Sequence, residues 1–175
     1  LVPVLDDRIG VAGRDALLRA AGIDALPDGS SMIDEAPVAR LHQELRRSVP
    51  RLATGVATAA GTATGDYILE HRIPTPARRL LQLMPAPLSA RLLCTAIEKH
   101  AWTFAGSGSF RVVSRKPIVF EIEDNPVVRG ESSNTPVCGW HAAVFERLFR
   151  ALISDDYRAT ETRCAAAAGN VCRFR

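Results

Sequence analysis

An α+β fold is predicted for these 175 residues by the order in which two periodicities occur along the chain. Apolar residues recur at helical spacing from residue 11 to residue 104. Alternation then takes over in "SFRVVS" and "PIVFEIED", and a second pair of short strands closes the sequence. Helices first and strands later argue against an alternating parallel sheet. One domain spanning 1–175 is expected, because the length suits a single core and no repeat or low-complexity linker interrupts it.

Residues 11–22, "VAGRDALLRAAG", read as a short helix stopped by Gly22. "DALPDGSSMIDEAP" reads as a loop, with Pro37 in the first turn of the next helix. In "VARLHQELRRSV", Val38, Leu41 and Leu45 form the apolar stripe, and His42 lies on its flank. Residues 51–71 are rich in Ala and Gly, which suits a helix whose small side chains let a neighbour's backbone come close. "TPARRLLQLMP" is expected to be capped by Thr75 and ended by Pro85. Ser89 is the expected cap of the next helix, in which Leu93, Ile97, His100 and Phe104 share one stripe. His71 is expected at a helix end, close to free carbonyls, and Cys94 in plain packing.

In the first strands Ile118, Phe120 and Ile122 face one side, Glu121 and Glu123 the other. From Trp140 a helix resumes, burying Val144, Phe145, Leu148, Phe149 and Leu152 while Glu146, Arg147 and Arg150 face water. "YRATETRC" and "VCRFR" read as a hairpin whose turn uses Gly169 and Asn170.

Composition narrows the function classes. The net charge of +3 comes from 22 basic and 19 acidic residues that are interspersed, and no basic run carries interleaved aromatics, so no nucleic-acid partner is expected. No apolar run reaches the about 18 residues of a membrane span. "LVPVLDDRIG" lacks the basic and long apolar regions of a signal peptide. The four cysteines then suggest reduced thiols in a cytoplasm. "GSGS" at 106–109 has neither the strand nor the helix of a phosphate cradle, and no dinucleotide fingerprint, P-loop or ferredoxin cysteine run occurs.

Three of the four cysteines lie in the last forty residues. A hairpin turning at 166–170 sets Cys164 opposite Cys172, Glu161 shares the first strand, and Cys138 precedes a helix. Thiolate-rich four-coordinate sites favour zinc, and a site filled by protein ligands is structural. Small buried thiols are the competing reading, because C-x22-E-x2-C-x7-C is not a common zinc-finger spacing. His141 rivals Glu161 as the fourth ligand.

"GDYILEHRIP", "LLQLMPAPLSARLLCTAIEKHAWTFAGSGSF", "EIEDNPVVRG" and "CGWHAAVFERLFRALI" with "ETRCAAAAGNVCRF" resemble the bacteriochlorophyll 4-vinyl reductase family. The likeness runs from about "RIGVAGRDALL" to the end. That family's domain is related to the ligand-binding domain of phenol-responsive activators and to small vesicle-tethering subunits. The resemblance implies helices packed on one antiparallel sheet, a ligand cavity between them, and a homodimer. Its phenol-sensing relatives hold zinc with three Cys and one Glu, a pattern matched here by Cys138, Glu161, Cys164 and Cys172.

A tetrapyrrole ligand follows from the same resemblance, with His100, Trp102, Phe104, Trp140 and His141 as candidate contacts. A neutral imidazole can ligate the magnesium or hydrogen-bond a carbonyl of such a ring. His100 equally suits a core histidine bonded to a backbone carbonyl, and both tryptophans suit plain packing.

The family name implies reduction of a vinyl group on a divinyl chlorophyllide precursor, which needs a hydride or electron source. With no motif for nicotinamide, flavin or iron–sulfur cluster, no catalytic residue is assigned. The favoured expectation is a cytoplasmic carrier for a Mg-porphyrin or chlorophyllide precursor. The pathway's magnesium chelatase or methyltransferase are its candidate partners, and any contact with the photosynthetic membrane is made through a partner. A sensor of small aromatics is the third reading.

Overall fold

The computed structural model describes residues 2–26, 34–167 and 169–175. Seven helices and four strands are present among them, and the expected α+β class is borne out. The loop expected between the first two helices falls largely at 27–33, outside the described residues.

Helix α1 (Val2–Ala20) starts well before residue 11, kinked where Gly10 takes φ +74°. Gly22 does stop it. At φ +72° its N–H donates to Arg19 O while Ile23 N–H donates to Leu18 O, the paired bonds of a Schellman ending. Helix α2 (Glu35–Ser48) begins at Asp34, whose carboxylate accepts from Ala36 N–H at 3.0 Å. Helix α3 (Pro50–His71) covers the Ala/Gly-rich stretch. Leu5, Leu17, Leu18, Leu41, Leu45 and Val56 make a compact core among these three helices.

Helices α4 (Thr75–Leu83) and α5 (Ala86–Lys99) meet at a sharp corner. Two expected caps are corrected here. Thr75 is already inside α4, where its hydroxyl accepts from Arg78, and Pro74 takes the cap position. Ser89 is buried within α5 and donates to Leu81 O at 2.6 Å, tying the corner together. Proline is tolerated at both starts because first-turn N–H groups have no helical partner to lose. The stripe through His100 is corrected as well. Helix α5 ends at Lys99, so His100 becomes an exposed end residue bonding Ala96 O at 2.9 Å, and a separate turn, α6 (Trp102–Ala105), follows. His71 pairs with Tyr67 O at 3.2 Å, as a helix-end residue should.

Strands β1 (Ser109–Arg115), β2 (Ile118–Glu123), β3 (Glu161–Arg163) and β4 (Val171–Phe174) form one antiparallel sheet in the order β1-β2-β4-β3. The register pairs Val112 with Phe120, Phe120 with Phe174, and Ile122 with Cys172, so one face is apolar. Helix α7 (Gly139–Leu152) lies against that face through Phe145, Leu148, Phe149 and Leu152. Phe145 packs edge-on to Phe120 at 4.9 Å and to Phe174 at 5.4 Å between ring centres. On the opposite face Glu121 is buried rather than solvated, because Arg111 and Arg173 from the neighbouring strands close over it. Burial alone would raise its pKa; hydrogen bonds from Arg173 and Arg111 outweigh that and lower it.

Helix α3 joins the two cores by packing on α7. A Cβ on Gly61 would sit 2.3 Å from Trp140 O, and one on Gly65 would sit 2.7 Å from the Arg147 side chain. The expected close approach is therefore real and belongs to these two glycines.

Candidate metal centre and adjoining cleft

Helix α7, β3 and β4 converge where Cys138 precedes α7, Glu161 opens β3, Cys164 follows β3 and Cys172 lies in β4. One ligand atom from each of the four lies within 4.8 Å of all the others. The three sulfurs are buried, and Cys138 Sγ stands 3.4 Å from Cys172 Sγ, too far for a disulfide. His141 does not join this group; its ring turns into the aromatic core.

Hydrogen bonds reach the sulfurs from the protein around them, and the thiols divide in their response, Cys164 being lowered and Cys138 and Cys172 raised. Asn125, itself buried, donates from Nδ2 to Cys138 Sγ at 3.5 Å while its Oδ1 accepts from Val127 N–H. Ala165 N–H donates to Cys172 Sγ at 3.5 Å. Hydrogen bonds from Cys138 and Cys172 hold the Cys164 thiol well below its usual pKa, and the same sharing with Cys164 pushes Cys138 up. Glu161 is raised to about 8, first by burial and then by its bond with Cys164. Its Oε2 accepts from Cys138 N–H at 2.6 Å, while Oε1 is buried with no hydrogen-bond partner among the described residues. Three buried thiols and an orphaned carboxylate oxygen are a donor set suited to a tetrahedral zinc ion.

Glu161 also lines a cleft of about 700 Å³ between α2, α3 and α7. Its floor is apolar and small, including Ala53, Ala57, Ala142 and Ala143, and Arg46, Arg147 and Arg150 stand along it. All three arginines form ion pairs, with Glu131, Asp66 and Glu146 respectively. The partly exposed pairs of Arg147 and Arg150 hold little energy against exchange for another anion.

The candidate ligand contacts fall in different places. Phe104 and His141 belong to the aromatic interior, with ring centres 6.2 Å apart, and Trp140 touches both His141 and the buried His42. Neither ring nitrogen of His141 has a hydrogen-bond partner among the described residues. His100 is exposed and Trp102 is 58% exposed, and neither stacks with these rings. None of the five lines the cleft. Of the cleft arginines, Arg147 and Arg150 were legible only as water-facing positions and Arg46 was not singled out, because a helix pattern does not show which neighbour flanks its polar side.

Residues 118–175 match the V4R domain. Over 174 residues the chain is 52% identical to the bacteriochlorophyll synthase 23 kDa chain of Cereibacter sphaeroides, covering 99% of this chain and 84% of that one. The chain belongs to the bacteriochlorophyll synthase 23 kDa chain family. The family's protein from Rhodobacter capsulatus is 46% identical over 173 residues, covering 99% of this chain and 81% of that one. The phenol-responsive sensory domain of the transcription activator PoxR, crystallised with phenol, shares the fold at a TM-score of 0.59 and 15% identity, over 94% of this chain and 89% of that one. In this chain all four donors lie within the V4R match, whereas α2 and α3 of the cleft precede it.

Proposed function

We propose that the chain is a tetrapyrrole-binding accessory protein of bacteriochlorophyll biosynthesis, with a structural zinc ion held by Cys138, Glu161, Cys164 and Cys172. The observation that carries this reading is the position of Glu161, which belongs to the donor set and to the cleft wall at once. Val137 and Gly139, on either side of Cys138, line the same cleft. A zinc ion there would fasten the start of α7 to the terminal hairpin and fix the shape of that wall. The cleft's size falls in the range of small-molecule sites, its floor suits a flat apolar ring, and its arginines suit the carboxylates that such rings carry. A carrier has a physical purpose, because free porphyrins aggregate. Handover to a chelatase or methyltransferase of the pathway, and a homodimeric state, belong to the same reading.

Titration of Mg-protoporphyrin against the pure chain, followed at the Soret band, tests it. Saturable binding weakened by Arg147→Ala and Arg150→Ala is expected. Turnover of a divinyl precursor with NADPH by the chain alone would replace the carrier with a vinyl reductase. For the metal, elemental analysis should find about one zinc per chain, lost in Cys164→Ser or Cys172→Ser. At a thousandfold excess over its Kd, zinc stabilises by about 4 kcal/mol. Its loss should therefore lower Tm by roughly 12 °C. Metal-free protein of unchanged Tm would remove the structural role.

A second reading, a sensor of small aromatics, is favoured by His141 alone: a buried imidazole set among phenylalanines, with neither ring nitrogen well hydrogen-bonded among the described residues, could meet a phenolic hydroxyl. Phenol binding that His141→Phe abolishes, with porphyrin binding absent, would select it.

A further inference from the structure

Helix α4 has no buried residue, and Leu80 and Leu83 on it are 56% and 85% exposed. Across the corner, Leu88 and Leu92 of α5 are 48% and 45% exposed. At helical spacing Arg79 shares the arc of Leu80 and Leu83, and Arg91 shares that of Leu88 and Leu92. The inner sides are spoken for: Leu81 and Leu93 pack into the core, Gln82 donates to Ala151 O at 3.0 Å, and Ser89 locks the corner. From His71 to Ile97 the chain carries Arg72, Arg78, Arg79 and Arg91 and no Asp or Glu. The ion pairs among the described residues use other arginines.

We infer that the α4–α5 corner docks directly on an anionic phospholipid surface. Protruding leucines flanked by arginines, with acidic residues excluded, match the interfacial mode of membrane binding. Arginine stems can lie along the acyl boundary while their guanidinium groups meet phosphates. The mode is peripheral, since no described helix is long and apolar enough to cross a membrane. A protein interface would be expected to centre on aromatic anchors, which this ridge lacks. The inference is independent of whether a porphyrin binds the cleft.

Flotation of the full chain with vesicles tests it, using phosphatidylcholine alone or with added phosphatidylglycerol, at low and high salt. The chain should float with the anionic vesicles at low salt and be released as salt rises. Each arginine removed from an anionic surface lowers partition about fivefold, so Arg79→Gln with Arg91→Gln should lose about 25-fold. Leu80→Ser with Leu83→Ser should abolish flotation while circular dichroism and Tm stay unchanged. Wild-type chain that remains soluble at low salt, or variants that float as well as wild type, would overturn the inference. So would sedimentation showing that the leucine variant splits a dimer while neither form binds vesicles.

Discussion

His42 and His141 are buried imidazoles whose environments keep them neutral. Burial is the main cause in both, lowering His42 from 6.5 to about 3, with Arg46 and His141 adding to it, and lowering His141 to about 4. For His141 the Phe104 backbone opposes the shift but does not offset desolvation. The unfolded chain takes up protons near pH 6.5, where the folded chain refuses them. The stability these rings contribute is therefore whole above pH 6.5 and is lost as pH falls toward 4. Each should give a slope of about 1.4 kcal/mol per pH unit in that window. Urea midpoints recorded across it should show the fall, and His42→Leu should remove roughly half the slope. A slope of half that size in the wild type would mean that one ring opens to water, and a flat profile that both do. The sequence showed His42 only on a stripe's flank, since the shielding Trp140 lies far along the chain. The cysteines were more legible, because a hairpin fixes Cys164 against Cys172 by register alone. Excluding His141 as a fourth ligand required knowing which way its ring turns.

Among the helices, α3 shows how one residue type can serve opposite ends. Gly55 is exposed, and a Cβ added there meets nothing within 4 Å. Gly55→Ala should therefore stabilise by about 1 kcal/mol, the helix-propensity difference. Gly61→Ala should destabilise by about 2 kcal/mol or more, because the obstacle is Trp140 O on α7 and a backbone cannot step aside. Thermal or urea denaturation of the pair of variants checks the contrast, and equal effects would contradict the α3–α7 packing. The close approach was readable from the density of small residues, but not which glycine makes it, since that depends on how the two helices cross. The caps misread at Thr75 and Ser89 have a related cause. Serine and threonine favour caps in general, yet proline at Pro74 and Pro85 had already set the chain direction, leaving Ser89 to bond across the corner.

At the scale of the molecule, two apolar cores meet along α3 and α7 and are unequal in what holds them. The α1–α3 core is closed by aliphatic packing, whereas the sheet core ends at a short β3 and at the loop before Cys138, both gathered by the four donors. Three-residue β3 has too few ladder bonds to hold that edge by itself. If zinc supplies the difference, its removal should loosen the edge before the molecule melts. Hydrogen exchange after chelation is expected to speed first at residues 137–139, 161–167 and 169–174, with α1–α3 still protected. Because Val137, Gly139 and Glu161 also line the cleft, porphyrin affinity should fall in step with that local opening. Simultaneous loss of protection in α1–α3 would show instead that the two cores unfold as one cooperative unit. The donors would then stabilise the whole chain rather than the cleft wall.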